Sequence, residues 1–66
     1  MNNFQVDDKV QFSNTSDPEL DSNGGTILGT SAVFPEITFY IVLLDRPYYG
    51  QKAIVMIGSC LKSRNT

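Results

Sequence analysis

Two glycine-punctuated apolar runs constrain this chain most: GTILGT at 25–30 and YIVLLDRPYYGQKAIVMI at 40–57. Both are rich in β-branched and aromatic residues, which suit a pleated surface. Gly and Pro interrupt them before they reach the length of an ordinary helix. Short strands joined by turns, in a chain of 66 residues, predict a small all-β domain. A chain this size buries about 60% of the surface its unfolded form exposes. That leaves room for a core of about a dozen side chains and little for a deep substrate cavity.

The alternation of residues places the strands. Val10 and Phe12 alternate with Lys9, Gln11 and Ser13, so a first strand with one buried face is expected over 9–13. Phe4 and Val6 share that parity and are expected to cap one end of the core. The segment 15–25, TSDPELDSNGG, is a long polar connection. Asp17 before Pro18 is the pattern of an N-cap followed by Pro at the first helical position. One helical turn over 18–21 is predicted, with Leu20 inward, then a sharp turn at Asn23, Gly24 and Gly25 using positive φ. A second strand is expected over 25–30, with Ile27 in the core and Gly29 at a bulge, a bend or a close backbone contact.

A loop over 31–36 leads to a third strand over 37–44 and a turn over 45–51. The fourth strand is expected over 53–57, forming an antiparallel hairpin with the third. Gly58, Ser59 and Cys60 read as a tight 3₁₀ turn, and 61–63 as a short fifth strand. No segment carries a 3.6-residue period, so no long helix is expected. The whole chain, 1–66, reads as a single domain with an ordered core over about 6–63.

This arrangement resembles the SH3-like small-barrel grammar of KOW and Tudor domains and of the small barrel protein of photosystem I. The matching residues are DKV at 8–10, GTI at 25–27, YIVLLD at 40–45 and CL at 60–61. The resemblance covers about residues 6–63 and implies a five-stranded SH3-like barrel with a long first loop and a 3₁₀ turn before the last strand. The pattern YIVLLD, then AIV, then SCL is also similar to small uncharacterised bacteriophage proteins. That likeness implies a viral accessory protein working in the host cytoplasm.

Charge and residue types narrow the function. The net charge is −2, which weighs against binding a phosphate backbone through Lys and Arg. Asp7, Asp8, Asp17, Glu19 and Asp21 lie early, whereas Arg46, Lys52, Lys62 and Arg64 lie late. The longest apolar stretch, 39–44, is six residues and too short to span a bilayer. The first residues, MNNFQVDD, lack a basic and an apolar signal region, so a cytoplasmic protein is expected. The single cysteine, Cys60, is expected as a buried structural thiol. With no His in the chain, a nucleophilic cysteine lacks its usual base, and no enzyme is expected.

Asp17, Glu19 and Asp21 form an acidic loop, but the EF-hand spacing fails because Ser22 and Leu28 stand where Gly and Glu are needed. Neither a metal nor another cofactor is expected. The binding candidates lie elsewhere. Tyr40, Val42 and Leu44 share one face of the third strand, and Phe39, Ile41 and Leu43 share the other. A half-buried wall needs only one apolar face. The second should dock a partner or another copy of the chain. At the hairpin tip, Arg46, Tyr48 and Tyr49 are of the types most often found at binding hot spots. The expected function is therefore a protein-interaction module that binds a host protein or self-associates. The alternative is a nucleic-acid- or nucleotide-binding barrel, which would require the late cations to converge with the tyrosines.

Overall fold

In a computed structural model that describes residues 4–64, five antiparallel strands form one sheet. In chain order the elements are β1 (Lys9–Phe12), α1 (Pro18–Asp21), β2 (Gly24–Val33), β3 (Thr38–Tyr48), β4 (Gln51–Ile57), a 3₁₀ turn (Gly58–Cys60) and β5 (Leu61–Ser63). The strand order is β4-β3-β2-β1-β5. β4 and β5 are the two edges and no ladder joins them, so the sheet is not closed.

The core forms where strand parity directs apolar side chains to one side. Val10 and Phe12 of β1, Ile27 of β2, Tyr40, Val42 and Leu44 of β3, Leu20 of α1 and Leu61 of β5 are buried together. Phe4, Tyr48, Ile54 and Met56 pack partly against them. Phe4 closes one end, with its ring edge-on to Tyr40 at 5.4 Å and its N–H donating to the Tyr40 hydroxyl. Val6 does not share that role. It is 59% exposed because the chain turns at Asp7, where φ is +77°.

α1 follows the sequence closely. The Asp17 carboxylate caps it by accepting the Glu19 N–H at 3.0 Å, and Pro18 occupies the first turn. The glycines after it act differently from expectation. Among residues 23–25 none has positive φ. Gly24 and Gly25 already belong to β2, and each lies where another backbone presses in. A Cβ on Gly25 would overlap the Leu43 carbonyl oxygen and stand 2.8 Å from Val42 Cγ1. These glycines are needed for close strand approach rather than for a turn.

β2 is longer than predicted because two bulges let it bend and continue. The register with β3 shifts between Ile27 and Gly29 and again between Thr30 and Ala32. A bulge gives one strand an extra residue and increases local twist. The loop after β2 therefore shrinks to residues 34–37, closed by reciprocal backbone bonds between Phe34 and Ile37. β3 is also longer than predicted. It runs through 45–48, and the turn is only Tyr49 and Gly50, both with positive φ. Between the Leu43–Ala53 and Tyr48–Gln51 pairs, four β3 residues stand against one in β4.

Cys60 is half-buried rather than buried, and its thiol lies 3.7 Å from the Asn14 carbonyl oxygen. The 3₁₀ turn that carries it buries Gly58 but not Cys60, and Leu61 joins the core instead.

Gly25→Ala should destabilise the fold by about 3 kcal/mol, because main-chain atoms rather than a flexible side chain occupy the added volume. Gly29→Ala meets nothing within 4 Å and should shift stability by less than about 0.5 kcal/mol. Urea denaturation midpoints measure both; equal midpoints would refute the close-approach account.

Candidate functional site

The bulge in β3 builds one end of the molecule. It carries Asp45, Arg46 and Pro47 out of the ladder before Tyr48 rejoins it. The polar side chains here each meet a different element. The Asp45 carboxylate accepts from Arg64 Nη1 at 2.7 Å, holding the chain just beyond β5. Arg46 Nη2 donates to the Ser22 carbonyl at 2.7 Å and to its hydroxyl at 3.1 Å. The Arg46 carbonyl accepts from the buried side chain of Asn23, whose Oδ1 accepts the Gly24 N–H. The Tyr48 hydroxyl donates to Asp17 Oδ2. The hairpin tip is thus clasped to the α1 loop, although the two are about 30 positions apart in sequence.

A shallow hollow of about 250 Å³ lies at this clasp, lined by Glu19, Asn23, Arg46, Pro47 and Tyr48. The loop's carboxylates divide their roles around it. Asp17 caps α1 and accepts from Tyr48. Asp21 accepts from the Thr15 N–H and hydroxyl. Glu19 makes no side-chain hydrogen bond among the described residues, so it is the carboxylate left facing the hollow's rim. Two of the three predicted acidic residues are therefore occupied in shaping their own loop.

The Tyr48–Asp17 bond shifts both groups. Donation from Tyr48 holds the Asp17 carboxyl below its ordinary value of 3.8. The adjacent Asp17 carboxylate pushes the Tyr48 phenol from 10.0 up to about 12. Asp17's contribution to stability is present above its ordinary value and lost as pH falls through its lowered one. Tyr48's contribution is complete below pH 10 and is lost as pH rises from there through about 12.

Tyr49 is held differently. It is 81% exposed, with its ring edge-on to Tyr48 at 4.6 Å. Its φ of +49° lies in the left-handed region, which disfavours a bulky side chain. Two-residue hairpin turns of this kind favour Asn-Gly or Asp-Gly. The tip therefore displays an aromatic ring at a conformational cost.

The second site element is the outer face of the sheet. Phe39, Ile41 and Leu43 stand opposite Ile57, Val55 and Ala53 of β4. Leu43 is 44% exposed and Val55 52%. The face continues through two more exposed residues. Leu28 points outward, as alternation from the buried Ile27 requires, and Phe34 packs edge-on against Phe39 at 6.2 Å. Phe34 fell within the expected loop, so strand parity did not mark it.

The late cations do not gather. Arg46 is engaged at the clasp and Arg64 at Asp45. Lys52 and Lys62 lie on the two opposite edge strands. Among the described residues no group of three or more Cys, Asp or Glu is placed to hold a metal ion. None of the helices is long and apolar enough to cross a membrane, again among the described residues. No family model, no curated protein and no solved structure matches the chain.

Two experiments test this geometry. The difference between the alkaline absorbance titrations of wild type and Tyr48→Phe should show a phenol with a pKa of about 12. An ordinary value near 10 in that difference would refute the clasp. Tyr49→Asn should raise stability by about 0.5 kcal/mol in urea, because relief of the left-handed strain outweighs the lost ring contact.

Proposed function

We propose that this chain is a non-enzymatic protein-interaction module built on the SH3-like small-barrel grammar. The fold part of the reading draws support from the strand order, from β5 lying beside β1 after a 3₁₀ turn, and from the long β1–β2 connection. In this reading the barrel is of an open kind, with its β4 and β5 edges apart. On the resemblance to small bacteriophage proteins, the proposal makes it an accessory protein that meets a host protein in the host cytoplasm.

The observation that carries the docking reading is the apolar outer face around Leu43, Val55 and Phe34. Singly exposed apolar residues are ordinary on any surface. A contiguous apolar face across paired strands marks a place where another molecule sits. Leu43 and Val55 would supply buried apolar area to the complex. Arg46, Tyr48 and Tyr49 lie at the end of the same hairpin and would add oriented polar and aromatic contacts. The clasp to Asp17 and Ser22 holds the tip in place before binding, which lowers the ordering cost of association.

Leu43→Asp places a carboxylate on the outer face, away from the core. It should leave urea stability within about 1 kcal/mol of wild type. Immobilised wild type and Leu43→Asp, compared by quantitative mass spectrometry of what each retains, should differ by at least about tenfold in a specific protein. An unfolded variant would mean that Leu43 belongs to the core. Identical retained sets would refute docking through this face. Retention of nucleic acid that weakens steeply with salt would favour the nucleic-acid reading instead.

A further inference from the structure

We propose that β4 is a self-recognition edge: two copies of the chain pair their β4 strands antiparallel about Val55, extending one sheet across both. This rests on the interaction-module reading and names a second copy as the occupant of one border of that face. The first observation is that β4 ends the strand order and, among the described residues, pairs only with β3. One row of its backbone N–H and C=O groups has no ladder partner, and such rows template the addition of another strand.

The second observation is what β4 lacks. Natural edges are usually blunted by charge, Pro, a bulge or a covering segment. From Ala53 through Ile57 the sequence is AIVMI, without charge or Pro, and its register with β3 is regular over those five residues. The other edge is built differently. β5 is three residues long, carries Lys62, and is followed by Arg64 tied to Asp45. One edge carries charge, and the Ala53–Ile57 stretch of the other carries none.

The third observation is charge placement, which permits a copy of the same strand and selects its register. A two-fold pairing about Val55 sets Val55 against the partner's Val55 and Ala53 against the partner's Ile57. Lys52 then falls opposite the partner's Gly58. The two Lys52 ammonium groups lie about 20 Å apart, six residues at about 3.4 Å each. That exceeds the screening length of about 8 Å at physiological salt. Shifting the two-fold axis to Lys52 would instead set the two ammonium groups face to face, which is destabilising. The same pairing keeps odd-numbered residues together, so Ala53, Val55 and Ile57 of both copies line the outer side. The two outer faces become one surface, doubled in width and symmetric.

The pairing adds backbone bonds and five apolar residues a side, less than a standard-sized stable interface, so the dimer should be reversible. Sedimentation equilibrium of the full chain should show a concentration-dependent monomer–dimer mixture at or below about 1 mM. Val55→Lys should raise the dissociation constant by at least about tenfold while the far-ultraviolet circular dichroism stays unchanged. In a Cys60→Ser background, Val55→Cys should form a disulfide-linked dimer under mild oxidation, since directly opposed Cβ atoms come within reach of a disulfide. Leu43→Cys in the same background should not.

A wild type that stays monomeric at about 1 mM overturns the proposal. So does a dimer indifferent to Val55→Lys, or one cross-linked through Leu43→Cys and not Val55→Cys, which would mean face-to-face packing. If Val55→Lys fails to fold, the cysteine pair still decides. A monomer that retains its partner through Leu43 would leave the docking reading intact while removing this one.

Discussion

The close approach of β2 to β3 at Gly25 is the constraint on which the rest depends. Main-chain atoms of Leu43 occupy the volume that any side chain at Gly25 would need. That contact brings the two longest strands together at the end where β1 also pairs with β2. β2 is the middle strand of the order, so its path determines where the buried side chains of β1 and β3 meet. Its two bulges then bend it, and a bent central strand lets a sheet of only five strands enclose Phe12, Ile27 and Val42. A flat sheet of this size would leave those residues wet on one side.

The β3 bulge distributes contacts rather than bending the strand alone. Three neighbouring residues, Asp45, Arg46 and Tyr48, reach the segment after β5, the residue after α1 and the cap of α1. None of these bonds is deeply buried, and exposed ion pairs such as Asp45–Arg64 contribute little individually. Their value lies in geometry. They hold a long polar loop, an edge strand and a hairpin tip in fixed relation, with Asn23 as the buried joint. The apolar face and the tip consequently belong to one hairpin that these bonds tie to the α1 loop.

Strand parity and capping chemistry made much of this readable from sequence. Asp17 and Pro18 announce α1 because capping is local, and Val10 with Phe12 announce β1 because alternation is local. The 3₁₀ turn and β5 followed from Gly58 and Leu61 in the same way. Length was legible where a turn residue stopped a strand and illegible where a bulge let it continue. Ser31 and Arg46 look like loop residues, yet both lie within strands, each at a bulge that the flanking paired residues carry the strand across. Gly24 and Gly25 could be noticed, but whether they serve φ or proximity depends on a strand nearly twenty residues away. The tip aromatics were visible as residue types. The Asp17 and Ser22 clasp was not, since nothing local links position 17 to position 48.

The pairing of β1 with β5 joins Phe12 to Leu61, across about three-quarters of the chain. Every other strand pair is separated by shorter loops, so this one carries the largest closure entropy. The β3–β4 hairpin, joined by two residues, needs no such search. The sheet therefore combines one local pairing with one of large sequence separation. Leu61 is the buried residue that rewards the long-range closure, with three residues of strand to secure it. β5 is held by three residues of strand and by the burial of Leu61, whereas the β3–β4 ladder is made without it.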